Sequence, residues 1–336
     1  MLQGGGRMSD TAVLEGRWKS SDYLGALGVR LGLMRDRYRV EPGLYLLGSP
    51  DPNSPVLVTA NYKLSVDHLR RAASGLDAWI LVLDTGGINV WCAAGKGSFG
   101  TAGLVDQIAR SGLGRAVEHR RLIVPQLGAP GIDGAAVQRA SGFSVVFGPV
   151  EAKDLKVFLQ GGCKATPQMR RKRFPAGERF LVSLTHFSQA LPLTLAAALL
   201  FSAAEAFLGL HGSVGENIGH NVLLALGSLF GGSILTGLFL PILPGRAFSV
   251  KSLTPAALFF LGGWFFYYAP AGTGLYGAGK LLLFCIWICY QGLNLTGSST
   301  YTSLSGVRRE MRYAVPSMAA VLAVALIGII YGGFLL

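Results

Sequence analysis

The sequence predicts a two-part molecule: an α/β domain built on a mainly parallel sheet, followed by an all-α transmembrane domain of about five helices. The first observation behind this is the uneven spread of charge, since residues 1–180 carry 24 Lys and Arg and 15 Asp and Glu whereas residues 181–336 carry 6 and 3. The second is the length of the apolar runs, short before residue 165 and about 20 residues long after residue 186, enough to cross a hydrocarbon core. The third is the order of the front half, where strand-like runs alternate with helix-like segments as in a sheet with crossover helices. A hydrophobic content of 51% and a mean hydropathy of +0.44 agree, being too high for an ordinary soluble chain of this length.

Residues 1–40 start polar and become amphipathic around "DYLGALGVRLGLM", a helix leading into the domain. Residues 41–165 form the α/β domain. Its strands are expected at "LYLLG", "VLVTA", "AWILVLD", "RLIVPQ" and "FSVVFG", and its helices at "SVDHLRRAAS", "AGLVDQIARS", "GAAVQRAS" and "AKDLKVFLQ". Residues 166–186 are a basic linker. Lys164, Arg170, Arg171, Lys172 and Arg173 cluster just ahead of the first long apolar run, which fits anchoring to anionic membrane lipid better than nucleic acid, despite a net charge of +12.

Five spans are expected in residues 187–336, near 187–209, 218–243, 253–272, 277–296 and 314–335. The basic pre-span segment, the loop with Arg246 and Lys251, and the loop with Arg308, Arg309 and Arg312 fall on one side, while "GLHGSVGEN" and "APAGTGLYGAG" contain no Lys or Arg. The positive-inside rule then puts the front domain in the cytoplasm, the spans in the cytoplasmic membrane and the C-terminus outside. Glu205 and His220 are placed near the outer ends, with Lys280 snorkelling to the outer interface, and no chain of ionisable groups suggests active transport. Cys92, Cys163, Cys285 and Cys289 do not form a disulfide framework; Cys285 and Cys289 read as packing on one helical face, and Cys163 has no assigned role.

Ligands of such sheets bind outside the carboxyl ends of the strands. The loops expected there are "TANYKLS", "DTGGINVWCAAGKGSFG", "PQLGAPG" and "GPVEA", rich in Gly, Pro, Asn and Gln and suited to a large, mostly neutral ligand bearing amide groups. Gly95, Gly97 and Gly100 match G-x-G-x-x-G, with Glu118 at roughly the distance of a ribose-binding acid, so a dinucleotide site is one reading. The match falls after the third strand rather than the first, which weakens it. Cys92 supports another. A thiol at a helix start feels unpaired backbone donors, and Lys96 adds a charge four residues on. One cysteine with no Cys or His neighbour cannot build a zinc or iron–sulfur site. It is either a nucleophile or one axial ligand to a metal already held by a macrocycle.

"NVWCAAGKGSFGT" closely resembles the signature of the HgcA family, the corrinoid proteins of the bacterial and archaeal mercury-methylation pair. "VLVTANYKLSVDHLR", "PQLGAPGIDG", "SGFSVVFGPVEAKDLKVFL" and "KATPQMRRKRF" look like the same family and like the corrinoid domains of corrinoid iron–sulfur proteins, over residues 40–180. Ser98 stands where threonine is usual. The resemblance implies a Rossmann/flavodoxin-like corrinoid-binding domain in which the cysteine turn is a cap helix and Cys92 is the lower axial ligand to cobalt. It implies cofactor contacts from Thr59, Ala60, Asn61 and Tyr62; from Asn89, Val90, Trp91, Cys92, Ala93, Ala94, Gly95, Lys96 and Gly97; and from Gln126, Leu127, Gly128, Gly148 and Pro149. Asn61, Tyr62, Gln126 and the glycines would contact corrin amides or close the turn.

The activity implied is methyl transfer from methyl-Co(III) corrinoid to thiolate-bound Hg(II), giving methylmercury. Thiolate ligation favours it by pushing electron density onto cobalt. The implied partners are a small two-cluster ferredoxin, HgcB, as electron donor, a methyltetrahydrofolate-linked methyl donor system and membrane lipid, with no iron–sulfur cluster in this chain. Two rivals stay open: a membrane-tethered corrinoid methyl carrier of C1 metabolism with another acceptor, and a dinucleotide-dependent membrane oxidoreductase.

Overall fold

The computed structural model describes residues 12–34, 37–210, 213–299, 301 and 304–335. The first eleven residues of the expected lead-in lie outside them. The chain divides into two compact units, one of Met1–Val29 with Leu33–Lys172 and one of Arg30–Gly32 with Arg173–Leu336.

The first unit begins with β1 (Val13–Leu14) and α1 (Ser20–Arg30), then β2 (Gly43–Leu47), β3 (Val56–Ala60), α2 (Lys63–Ala72), β4 (Ala78–Leu83), α3 (Val90–Lys96), α4 (Thr101–Ser111) and α5 (Leu113–Ala116). It closes with β5 (Arg121–Val124), a 3-10 segment Gln126–Gly131, α6 (Gly134–Ser141), β6 (Ser144–Phe147) and α7 (Leu155–Gln160). All five expected strands form, in a six-stranded sheet of order β1-β2-β4-β3-β5-β6. β3, β4, β5 and β6 are mutually parallel. β2 runs antiparallel to β4, pairing Gly43 with Val82 and Leu47 with Ala78, and the expected lead-in contributes β1, parallel to β2.

Helices on both faces explain the near-continuous apolar strands. In β4, Trp79, Leu81 and Leu83 join one core with Phe99, Leu104 and Leu113, while Ala78, Ile80 and Val82 join the other with Val66, Leu155 and Phe158.

α1 is tied to α2 by charge. Arg70 donates to Asp67 and Asp22 at 2.8 and 2.6 Å, and Lys63 bridges the same two carboxylates at 2.8 and 2.6 Å. Burial pushes the Asp22 carboxyl up, but hydrogen bonds from Lys63, the Lys19 amide and Arg70 outweigh it and hold Asp22 well below the usual carboxylate range.

Within the basic linker, expected to favour anionic lipid over nucleic acid, Arg170 donates to Gln126 Oε1 at 2.7 Å, Lys172 pairs with Glu151 at 2.5 Å, and the Val150 amide donates to the Met169 carbonyl at 2.8 Å. The segment is folded along the end of β6, which takes two of its cations into the domain.

The second unit is helical: α8 (Ala176–Phe207), α9 (Val214–Leu229), a π segment Phe230–Leu235 leading into α10 (Thr236–Leu238), α11 (Phe248–Lys251), α12 (Leu253–Gly263) with a π segment Trp264–Tyr268, α13 (Gly274–Asn294) and α14 (Leu304–Phe334). Four helices among the described residues are long and apolar enough to cross a membrane: Ala176–Phe207, Val214–Leu238, Gly274–Ser298 and Ser305–Phe334. The span expected at 253–272 is shorter, 11 residues of α-helix continued by 5 of π-helix, because the helix is interrupted at Ser252.

Lys280 does not snorkel to an interface. It is 1% exposed and paired at 2.9 Å with Glu205, also 1% exposed. Tyr276 Oη and Asn221 Nδ2 donate to the same carboxylate at 2.7 and 2.6 Å, and Asn221 also reaches Ser202 Oγ at 2.9 Å. Glu205 thus lies inside a network joining α8, α9 and α13, and a buried charge is tolerated only when paired in this way. Cys285 and Cys289 pack against Ala256 and Ile288, Cys285 Sγ lying 3.2 Å from the Ala256 carbonyl.

Candidate functional site

The carboxyl ends of β3, β4, β5 and β6 lead into Asn61, Asp84–Asn89, Gln126 and Gly148, so the expected loops gather at one end of the sheet. Asn61, 2% exposed at the end of β3, organises the loop after β4. Its Oδ1 accepts from the Thr85 and Gly87 amides at 3.0 and 2.9 Å, with the Thr85 hydroxyl at 2.9 Å, and its Nδ2 donates to Asp84 at 3.2 Å. Asn61 therefore closes a turn and does not present its amide outward.

That turn delivers the chain to Asn89, which caps α3. Its Oδ1 accepts from the Cys92 amide at 2.9 Å, satisfying one orphan donor of the first turn. Val90, Ala93 and Ala94 face the core, together with Phe99. Trp91, Gly95 and Lys96 face outward, with Cys92 half-buried beside them. Helical spacing puts Trp91 with Gly95, and Cys92 with Gly95 and Lys96, on one face.

Gly95 is informative. Its backbone is ordinary helix and a Cβ built on it meets nothing within 4 Å, so no packing inside the chain calls for glycine. Glycine in a helix interior costs about 1 kcal/mol relative to alanine. A missing side chain on an open face suits a flat group lying close against the helix.

The other side of α3 packs on the Gln126–Gly131 segment. A Cβ on Gly131 would lie 2.1 Å from the Phe99 carbonyl, and one on Gly128 would lie 2.5 Å from the Phe99 ring. Gly97 ends α3 in the left-handed region at φ 85°, and Gly100 begins α4 against the Gly97 carbonyl. The three glycines that spell G-x-G-x-x-G thus lie inside a helix, at its exit and at the next helix start. They do not make a phosphate loop. Glu118 lies just ahead of β5, at the opposite end of the sheet, where Asn53 donates to it at 3.3 Å.

The expected site residues divide into those that face outward and those that support them. Tyr62, Asn89, Trp91, Cys92, Gly95, Lys96, Gly97, Gln126 and Leu127 are at least partly accessible, whereas Thr59, Ala60, Asn61, Val90, Ala93, Ala94, Gly128, Gly148 and Pro149 are buried. Ala93 and Ala94, expected as contacts, point into the core because they are the inward positions of a helix lying on Phe99. Asp84, Thr85, Phe99, Gly131 and Arg170 were missed. Asp84 and Thr85 carried a signal, the turn-forming "DTGG" directly after a strand, but Arg170 acts across 44 residues and had none.

Cys92 is the one soft donor on this face. Among the described residues, no group of three or more His, Cys, Asp or Glu side chains is placed to hold a metal ion. A metal taken by this sulfur would have to arrive with its other ligands, and the face beside it is open at Gly95 and Trp91.

Residues 9–159 match the family model described as CO dehydrogenase/acetyl-CoA synthase delta subunit. The front unit is similar to this family over those residues. The curated relatives include acetyl-CoA decarbonylase/synthase complex subunit gamma from Methanopyrus kandleri, 36% identical over 128 residues that cover 38% of this chain and 27% of the relative. The subunit of the same name from Archaeoglobus fulgidus is 30% identical over 128 residues, covering 38% and 27%, and that from Methanothermobacter thermautotrophicus is 29% identical over 160 residues, covering 46% and 34%. The chain spans about a quarter to a third of the length of these relatives.

Proposed function

We propose that the chain is a membrane-anchored, corrinoid-dependent methyltransferase whose acceptor is Hg(II). The observation that carries this reading is the open face of α3, where a single thiol, an exposed indole and an unforced glycine meet at the carboxyl end of the sheet. When bound, a corrinoid supplies a methyl group on cobalt that can leave with its bonding electrons, which an electrophile such as Hg(II) requires. Cys92 is the residue that would hold the cobalt, through its thiolate sulfur. Asn89 caps the Cys92 amide and so fixes the first turn of α3, while Trp91 and Lys96 would contact the group from exposed positions on either side of Cys92. Gln126, whose Oε1 accepts from Arg170, would bind the corrinoid through its remaining amide N–H groups.

Relationship to the decarbonylase/synthase subunits supports the corrinoid; the resemblance of "NVWCAAGKGSFGT" to the HgcA signature, joined to a helical membrane unit, supports mercury as acceptor. In this reading, electrons between turnovers come from a two-cluster ferredoxin of the HgcB kind, and the methyl group from a methyltetrahydrofolate-linked system. The charge pattern supports five crossings with the front unit in the cytoplasm. If the segment at Leu253–Tyr268 did not cross, Arg246 and Lys251 would lie on the opposite side from Arg308, Arg309 and Arg312, against the positive-inside rule. Counted from α11, this segment is about 30 Å long, enough for the hydrocarbon core.

The test uses the full chain in vesicles, loaded anaerobically with methylcobalamin and offered Hg(II) as its cysteine complex. Methylmercury should form in a single turnover, and Cys92→Ala should reduce it to the rate of free methylcobalamin while the protein stays folded. An undiminished rate in Cys92→Ala overturns the axial role. Corrinoid binding with a Co–S signature but no methylmercury, while the methyl group passes to another acceptor, overturns mercury and leaves the C1-carrier reading.

A further inference from the structure

Helix α1 has two apolar faces. Asp22, Gly25, Ala26 and Val29 form the inward one. The outward one consists of Tyr23, Leu24 and Leu27, with Leu33 and Met34 just beyond the helix; Leu24 is 69% exposed and Leu33 75%. No charged side chain lies between Lys19 and Arg30 except Asp22, which is turned inward to Lys63 and Arg70. An outward helix face in water ordinarily carries charged and polar residues. Basic residues flank this one instead: Arg17 and Lys19 before it, Arg30 in its last turn, Arg37 and Arg39 after it.

We infer that α1 lies in the plane of the bilayer surface, with Tyr23, Leu24 and Leu27 in the headgroup–acyl boundary and the flanking cations on anionic headgroups. An apolar stripe bracketed by Lys and Arg is the composition of an interfacial helix. The occupant follows from where the chain goes next. Arg30–Gly32, directly after the helix, belong to the membrane unit, and Gly32 lies against the side chain of Gln189 in α8, a Cβ there being 2.9 Å from Gln189 Cγ. α8 is one of the four helices able to cross a membrane, and Gln189 is close to the start of its long apolar run. The stripe is thus joined through the chain to a segment packed on a helix able to cross a membrane, which is why we assign lipid as its occupant.

The experiment reconstitutes the full chain in vesicles containing a photoactivatable phospholipid, with or without phosphatidylglycerol, and maps labelled peptides by mass spectrometry. The peptide covering residues 20–34 should be labelled, and Leu24→Glu/Leu27→Glu should lower its labelling about fivefold without changing labelling of α14. Labelling should also fall when phosphatidylglycerol is omitted. The alanine pair Leu24→Ala/Leu27→Ala, which cannot introduce repulsion, should give an intermediate value. Absence of label on this peptide in the unaltered chain overturns the inference, as does cross-linking of the peptide to a second copy of the chain in place of lipid. Equal labelling with and without the anionic lipid overturns the role given to the basic flanks.

Discussion

Replacing Asn61 by Ala tests whether the position of Cys92 is set three elements away from it. Asn61 Oδ1 holds the Thr85 and Gly87 amides, and the Thr85 hydroxyl, at 2.7 Å from the Ile88 carbonyl, keeps a partner without it. Two backbone donors therefore lose their acceptor. Thr85 is 2% exposed, so its amide stays dry and costs about 2 kcal/mol, while Gly87 is half-buried and regains water at a loss of about 1 kcal/mol. The sum is about 3 kcal/mol, and the loosened segment is the one that enters α3. Urea titration of the full chain in detergent, read by proteolysis of the front unit, measures the first quantity, and the alkylation rate of Cys92 measures the second. Asn61→Asp keeps acceptors for both amides but faces Asp84 with a like charge in place of a donor. It should therefore not restore the parent's stability at neutral pH. An Asn61→Ala protein within about 1 kcal/mol of the parent, with Cys92 alkylated at the parent rate, would refute the reasoning.

In the membrane unit, Glu205→Gln should destabilise by about 3–5 kcal/mol because it leaves Lys280 charged and buried, and Glu205→Gln/Lys280→Met should recover most of that loss in a denaturant titration in micelles. Strictly additive single effects would show that the pair is not coupled. In the front unit, Asp22→Asn should cost about 3 kcal/mol at pH 7. Because the folded-state pKa of Asp22 is depressed, its contribution is complete above the unfolded carboxylate range and is lost as pH falls through the folded value, so the gap between Asp22→Asn and parent should narrow below about pH 4. A gap independent of pH would remove the charge from the explanation.

Much of the front unit was legible because its strands are short, continuously apolar and bounded by turn residues, and such runs carry their own end-points. The site's location followed, since loops at the carboxyl ends of parallel strands converge whatever their sequence. Direction was not legible: "LYLLG" reads the same parallel or antiparallel, and its pairing with β4 is decided by a chain path the residues do not encode locally. The burial of Ala93 and Ala94 was not legible because a seven-residue helix is too short for its periodicity to separate inward from outward positions. Lys280 and Glu205 lie 75 residues apart, and only their opposite charge in otherwise uncharged spans hinted at a pair. The partners of the basic linker were not legible for a related reason: nothing in "MRRKRF" shows that Arg170 meets Gln126 or that Lys172 meets Glu151.

If Cys92 holds a metal as proposed, the shortness of α3 and the firmness with which it is held match what a metal–sulfur bond tolerates. A ligand atom must stand within about 0.2 Å of its ideal distance, and seven helical residues alone are marginal in water. Here rigidity is imported from three sides. Asn61 fixes the approach, Asn89 fixes the first turn through the Cys92 amide, and Gly128 and Gly131 admit Phe99 and the α3 backbone so closely that a methyl group at either position is excluded. None of these contacts uses the outward face, where Gly95 leaves space that no residue of the chain fills. A helix locked from behind and bare in front can hold a sulfur atom still against a flat partner. A buried structural cysteine would need neither the locks nor the open face, and that difference is what the ligand role proposed for Cys92 rests on.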